Sequence, residues 1–600
     1  MAGNYNPVNP VAVSSMGYKD TFESTVVANL DFDQKLDFIT KGLSFKALIS
    51  FKNWSYNSKY RLQGYNTYQL TDYTKNEDGT YNYTVNSIGD ATNHTLDSFF
   101  GTDGDRRFYI QGYFNYDRAF GDHHVGGMLL YNQDEYNSNV NSSLLNSLPK
   151  RRMGIAVRAA YDYANRYLFE FNAGYNGSEN FAKGHRFGFF PSVSVGWNIS
   201  QEKFWEPIRN IVSNFKIRGS YGLVGNDQVP YTRFLYMGIT TLNDSPSYQT
   251  GYGSHKESHN GPTFSRFENE DMTWEVGHKL NVGADIQLFN SLNLTVDAFR
   301  EIRSNILTTK GSIPNYLGAA NTVIYGNFAK VKNWGVDLAV DYGKQINRDL
   351  SIQFKGTFTF ARNRVMETDE AADIRPALSA VGKPLNTLWG YVADGLYIDE
   401  ADIANNPTST LGNITIAAGD VKYVDQPDVN GNYDGQIDSD DRVAIGHPTI
   451  PEIIYGFGPS ITWKKWDFSV FFQGQANVSL MMSGFEPFGT QSKNNVLEWI
   501  AEDYWSKENQ NPNAKYPRLT KYNNNNNMQS STYWLRNAAF LKLKNAEVGY
   551  NFKWGRVYMS GTNLLTFSPF KLWDPEMGGG KGMAYPTQRT FNLGVQITFK

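Results

Sequence analysis

The last eleven residues carry the pattern that most limits how this chain can fold. From Thr590 to Lys600, Phe591, Leu593, Val595, Ile597 and Phe599 fall on one side of an extended strand. Asn592, Gly594, Gln596, Thr598 and Lys600 fall on the other. Successive side chains of a strand point to opposite faces, so this segment is oily on one side and wet on the other. Segments of the same kind, roughly ten residues long, recur along nearly the whole chain. One such strand fits a soluble sandwich. A whole set of them needs hydrocarbon against one face and water against the other, which is the arrangement of a transmembrane β-barrel.

Phe45, Ala47, Ile49 and Phe51 alternate with Ser44, Lys46 and Ser50. Ile155, Val157, Ala159, Tyr161 and Tyr163 alternate with Arg158 and Asp162. After the turn Ala164-Asn165-Arg166, Tyr167, Phe169, Phe171, Ala173 and Tyr175 alternate with Glu170 and Asn172, which makes a hairpin with one consistent oily face. Further paired runs are 107–121 with 123–138, 273–289 with 291–304, 333–345 with 350–364, 452–464 with 466–477, and 540–552 with 555–565. Single runs lie near 22–34, 187–200, 214–225 and 590–600. The reading predicts roughly eighteen strands. Turns such as Asn290 and Lys464-Lys465 are very short, whereas the connections near 226–272, 365–451 and 478–539 are long. Compact soluble domains rarely hold structureless loops of that size. Outer-membrane barrels have short periplasmic turns and long extracellular loops. The run Asn523–Asn527 reads as exposed surface loop.

Composition agrees with this class. The chain has 38 Tyr and 39 Phe in 600 residues, and such rings suit a membrane–water interface. Charged residues make up 19% and the formal net charge is -3, which excludes the basic excess of a nucleic-acid binder. With no Cys, disulfides and thiolate metal sites are excluded. The mean hydropathy of -0.50 averages a lipid face with a lumen face and loops. No apolar run reaches the length of about 18 residues that a helical span requires. Met1 is followed by Ala-Gly-Asn-Tyr-Asn, which is no secretory signal, although an outer-membrane protein must be exported.

Several ordered motifs carry a resemblance. They include Phe190-Pro-Ser-Val-Ser-Val-Gly-Trp197 with Glu202 and Phe204, Ser220-Tyr-Gly-Leu-Val-Gly-Asn-Asp227, Asn333-Trp-Gly-Val-Asp337 and Trp389-Gly-Tyr-Val-Ala-Asp-Gly-Leu-Tyr397. Gly419-Asp-Val-Lys-Tyr423, Ile445-Gly-His-Pro448 and Tyr455-Gly-Phe457 follow. Phe540-Leu-Lys-Leu-Lys-Asn545, Gly561-Thr-Asn-Leu-Leu565 and Asp574-Pro-Glu576 come near the end. In order and spacing the chain resembles the C-terminal barrel portion of SusC/RagA-family TonB-dependent outer-membrane transporters of Bacteroidetes type. The resemblance implies an all-β, 22-stranded antiparallel barrel filled by a plug. It also implies energy from the TonB-ExbB-ExbD complex and a SusD-like surface lipoprotein over the mouth. The implied cargo is a glycan or peptide too large for general porins. Signal peptide, TonB box, plug and first strands have no counterpart here. We therefore expect residues 1–600 to form one partial barrel domain, with the plug absent.

One loop has metal-ligand spacing. Asn430, Asn432, Asp434, Gln436 (through its carbonyl), Asp438 and Asp441 fall at the calcium-loop positions 1, 3, 5, 7, 9 and 12, with Gly435 at the sharp turn. Calcium is hard and needs several oxygens, so this spacing makes a structural calcium site an expectation. Asn at the first position and Asp at the last weaken it. A solvated turn of Asn and Asp caps is the rival reading.

No catalytic constellation emerges, and no cofactor is required. The eight His are scattered: His123-His124 sits at a hairpin turn, and His185, His255, His259 and His447 lie in or beside loops. Asp574 and Glu576 flank a proline and read as a turn, not as a glycosidase pair. Trp389, Tyr391, Tyr397, Trp499 and Trp505 read as loop packing in preference to sugar stacking. The expected function is TonB-dependent import of a large nutrient across the outer membrane, not enzymatic catalysis. The alternatives are a passive pore or structural barrel and, further off, a secreted glycan-binding β-protein.

Overall fold

In the computed structural model the described residues are 10–89, 95–139, 144–229, 233–311, 322–371, 374–412, 414–484, 496–520 and 524–599. Asn523 and Lys600 of the segments above lie outside them. Seventeen strands form one sheet. In chain order they are β1 (Gly17–Lys35), β2 (Leu43–Leu62), β3 (Asp97–Phe120), β4 (His123–Ser138), β5 (Lys150–Tyr163) and β6 (Tyr167–Ser178). Then come β7 (Phe187–Asn198), β8 (Val212–Asn226), β9 (Glu275–Leu288), β10 (Leu292–Thr309), β11 (Tyr325–Asn347) and β12 (Leu350–Glu367). The last are β13 (Ile453–Trp463), β14 (Trp466–Ala476), β15 (Phe540–Phe552), β16 (Gly555–Phe567) and β17 (Thr590–Ile597). Consecutive strands pair antiparallel from β1 through β17, giving an up-and-down meander.

Sequence reasoning expected roughly eighteen strands; the sheet has seventeen. Several are much longer than the oily run that signalled them. β3 has 24 residues and β11 has 23. At roughly 3.3 Å per residue such strands reach about 75–80 Å, far past a hydrocarbon layer of about 30 Å. Alternation is enforced only where lipid touches the wall, so the outer halves escaped notice. Among the described residues β1 and β17 do not pair with each other. Seventeen is odd, so these two edges run in the same direction and an antiparallel ladder cannot join them directly.

The two ends of the wall differ. At one end the turns are minimal. Ala164 and Asn165 have φ of 51° and 54°, and Phe289 and Asn290 have 52° and 53°. Positive φ at both central residues defines the type I′ turn, whose twist matches the strands it joins. Aromatic side chains ring this end. Tyr167 stacks on Trp197 at 6.5 Å, Trp466 meets Tyr550 edge-on at 5.0 Å, and Phe552 meets Trp554 at 4.7 Å. Rings with an apolar body and a polar tip settle at the headgroup level.

At the other end two long connections build a folded cap with cores of its own. One core joins Val478, Leu480, Met482, Ile500, Tyr516 and Trp534. The other joins Tyr391, Leu396, Val421, Tyr423, Ile437 and Trp505. These connections read as structureless loops in the sequence. The structure corrects this: short bridges and buried aromatics order them. Tyr391, Tyr397 and Trp505 are buried, and Trp499 packs on Tyr516 with ring centroids 5.1 Å apart, so packing is their role.

A buried carboxylate ties the two connections together. Asp420 is fully buried and accepts from Arg518 at 2.7 and 2.9 Å, from Asn524 and Asn527 at 2.9 Å each, and from the Ala417 backbone N–H at 2.9 Å. Asn524, Asn526 and Asn527 are at most 2% exposed while Asn525 is exposed, so three of the four described asparagines are core and not surface loop. An amide both donates and accepts, which lets it satisfy a buried carboxylate and backbone groups together. A second buried charge lies beside the cap. Lys542 of β15 is fully buried and donates to Asp574 at 2.7 Å and to Glu576. The Asp-Pro-Glu turn is thus an anchor for the last long connection.

Removing one member of a buried ion pair leaves an uncompensated charge, at a cost of about 3–5 kcal/mol. We expect Asp420→Ala to open the cap selectively. Limited proteolysis should then cut within 388–445 and 496–538 while the sheet stays resistant. Equal loss of both would refute the assignment.

Candidate functional site: a charged inner wall under the cap

The wall has two chemically opposite faces because each strand alternates. On β5 to β7 the oily set is Ile155, Val157, Tyr161, Phe169, Phe171, Phe189, Val193 and Val195. This set is the more exposed one: Phe189 is 58% and Val195 56% accessible, and Leu593 of β17 is 80%. A water-soluble protein buries such residues, so the exposed band faces lipid.

The opposite face carries paired charges. Arg158 of β5 donates to Glu170 of β6 at 2.7 Å. Arg218 of β8 reaches Asp285 of β9 at 3.2 Å and clamps Asp297 of β10 at 2.7 and 2.6 Å. Thr359 of β12 donates to Asp337 of β11 at 2.7 Å. Arg556 of β16 bonds Asp467 of β14 and Glu547 of β15. Toward the cap, Arg107 holds Asp134, and Arg303 joins Glu275 to Glu301. Half-exposed pairs of this kind add little stability. Their consequence is a wet surface whose charges are largely satisfied, so a polar solute meets donors and acceptors without a strong net field.

The Arg218 clamp shows how sequence permits this geometry. Gly283 of β9 lies between Arg218 and Asp297 in the ladders. A Cβ at Gly283 would sit 2.5 Å from Asp297 Oδ1 and 2.8 Å from Arg218 Cζ. The missing side chain is the gap through which the guanidinium crosses a whole strand. Sequence reasoning missed this cluster. The signal was there: all three charged residues lie on polar faces, and the tight turn at 289–291 fixes their register.

Histidines serve as local hydrogen-bond partners. His124 bonds Asp162 at 2.9 Å and Asp117 at 3.2 Å, His123 bonds Tyr161 at 2.8 Å, and His259 bonds Thr250 at 2.8 Å.

The six calcium-loop residues fall into separate local groups. Asn430 and Asn432 are exposed, and their backbone N–H groups donate to Asp428 at 2.8 and 2.9 Å. Asp434 accepts from the Gln436 N–H at 2.9 Å. Gln436 and Ile437 pair in parallel with Thr408 and Ser409. Asp438 and Asp441 form a capping box on the short turn Ser439–Asp441. Gly435 adopts the φ of 74° that the sharp turn needs. Among the described residues no three His, Asp or Glu side chains form a ready ligand group.

Overpacking a fitted site costs about 1–3 kcal/mol, and here it also breaks the clamp. We expect Gly283→Val to lower the urea midpoint of the folded barrel. Gly343→Ala on β11, where a Cβ meets nothing within 4 Å, should leave it unchanged. Equal midpoints for both variants would remove the case for a required gap.

The family model described as TonB dependent receptor-like, beta-barrel matches residues 2–564. TonB-dependent receptor P3 of Formosa agariphila is 26% identical over 479 residues, covering 74% of this chain and 45% of that protein. TonB-dependent receptor SusC of Bacteroides thetaiotaomicron is 23% identical over 627 residues, covering 99% of this chain and 58% of SusC. The chain thus spans about half the length of the curated relatives it matches. Among solved structures, the RagAB peptide transporter superposes with a TM-score of 0.71 at 18% identity, over 98% of this chain and 63% of that one. The motif resemblance, the lipid-facing band and a family match along nearly the whole sequence converge. The chain belongs to the TonB-dependent receptor β-barrel family, and its place is the outer membrane.

Proposed function

We propose that this chain is the barrel wall and extracellular cap of a TonB-dependent importer. It carries a large polar nutrient, an oligosaccharide or a peptide, across the outer membrane. The observation that carries the reading is the pairing of opposites in one wall: an oily band outside and a charge-paired face inside, beneath a folded cap. A wet, largely charge-satisfied passage suits a polar cargo that must be held weakly enough to leave.

In this reading residues 1–600 are part of a larger ring. The parallel edges of β1 and β17 need an odd number of further strands to close antiparallel, and 22 strands meet that condition. The plug and the segment that TonB-ExbB-ExbD engages belong to the same larger protein. A SusD-like lipoprotein covers the mouth at the cap. SusC and the RagAB peptide transporter, both similar to this chain, support the assignment to this transport class.

The test uses the full-length protein in its host. Uptake of labelled oligosaccharides and oligopeptides is measured with TonB intact and with TonB deleted. We expect uptake of one ligand class to vanish without TonB, and the purified protein to be closed in planar bilayers. Uptake that survives loss of TonB, together with steady open-channel conductance, would establish a passive pore instead.

A further inference from the structure

We propose that the cap loop spanning Asp425 to Asp441 binds a calcium ion between the carboxylates of Asp425 and Asp441. Asp425 was not among the six residues picked out by spacing. It lies ahead of that register and enters the site only through the fold.

Both carboxylates are buried, Asp425 at 7% and Asp441 at 3% accessibility. Oδ2 of Asp425 accepts from the Gly435 N–H at 2.9 Å. Oδ1 of Asp425 is buried and finds no donor among the described residues. Asp441 spends both oxygens on backbone N–H groups, those of Gln426 and Asp438, each at 2.7 Å. Gln426 follows Asp425 directly, so the two carboxyl groups are neighbours. The cations beside the loop are engaged elsewhere: Arg375 with Asp440 at 3.0 Å, and Arg442 with the Trp389 carbonyl at 3.3 Å. The negative charges of Asp425 and Asp438 both bear on Asp441.

Two adjoining buried carboxylates are costly, because each loses its hydration and repels the other. A hard divalent cation removes both costs. Calcium fits best, since it tolerates irregular shells of carboxylate, carbonyl and water oxygens. Asp425 supplies a free oxygen, and the second lone pairs of the Asp441 oxygens stay available after their backbone bonds. Among the described residues no third carboxylate joins the two, so loop carbonyls and water complete the shell. That composition predicts a dissociation constant on the order of 10⁻⁴–10⁻³ M, as in extracellular calcium modules. The ion would lock the loop onto the cap, where Ile437 is fully buried and Thr408 donates to the Gly435 carbonyl at 2.9 Å.

The test titrates calcium chloride into the EDTA-stripped full-length protein in detergent, read by calorimetry and by proteolysis of the cap. Wild type should show saturable binding and slower cap cleavage. Asp425→Asn and Asp441→Asn should weaken binding about tenfold or more. Asp434→Asn, exposed and outside the buried pair, should bind like wild type. Asp425→Asn keeps the acceptor for Gly435 and sheds repulsion, so its cap should fold without calcium. Three results would overturn the proposal: no saturable calcium binding by wild type, undiminished binding by Asp425→Asn, or a loss in Asp434→Asn equal to that in Asp425→Asn. A cap stabilised by acid and indifferent to calcium would likewise overturn it, because the pair would then share a proton.

Discussion

Everything in this molecule depends on where its backbone hydrogen bonds go. In hydrocarbon no water is available to a free N–H or C=O, so each strand must find both neighbours within the wall. The meander achieves this for β2 to β16 with nearest-neighbour ladders, and among the described residues β1 and β17 each have one ladder. Once the ladder is laid, the pleat assigns every second side chain to lipid. The composition follows from that: aliphatic and aromatic residues outside, ion pairs inside, and aromatic rings where the short turns meet the headgroups.

The buried apolar clusters lie in the cap, where water replaces lipid and ordinary packing rules return. The cap is held by polar anchors as much as by oil. Asp420 gathers one arginine and two asparagines, and Lys542 gathers two carboxylates. Such anchors fix two long connections against each other, which suits an extracellular surface that must present a defined shape above a passage.

The membrane-facing parts were legible because lipid enforces a period of two. The hairpins at 155–175, 452–477 and 540–565 appear in the structure nearly as the alternation marked them. Beyond the bilayer that enforcement lapses, so the outer halves of β2 and β3 and the hairpin 67–89 left no clear signal. The cap was illegible for another reason. Asp420 meets Asn527 across 107 positions, and Arg218 meets Asp297 across 79. A run of asparagines looks like solvent-exposed filler until its distant partner is known. At the acidic loop the spacing singled out six residues, and Asp425, ten positions ahead of Gly435, meets that loop only through the fold.

The central claim is that one face of the wall meets hydrocarbon and the other meets water. The chain has no cysteine, so single cysteines report cleanly on each face. Full-length protein in liposomes, carrying a fluorescent label at Phe171→Cys or Val193→Cys for the oily face and at Asn172→Cys or Ser194→Cys for the polar face, is exposed to lipid-borne and aqueous quenchers. The account predicts lipid quenching at 171 and 193 and aqueous quenching at 172 and 194. Protection of 171 and 193 from both quenchers would mean a dry protein interior, and would contradict it.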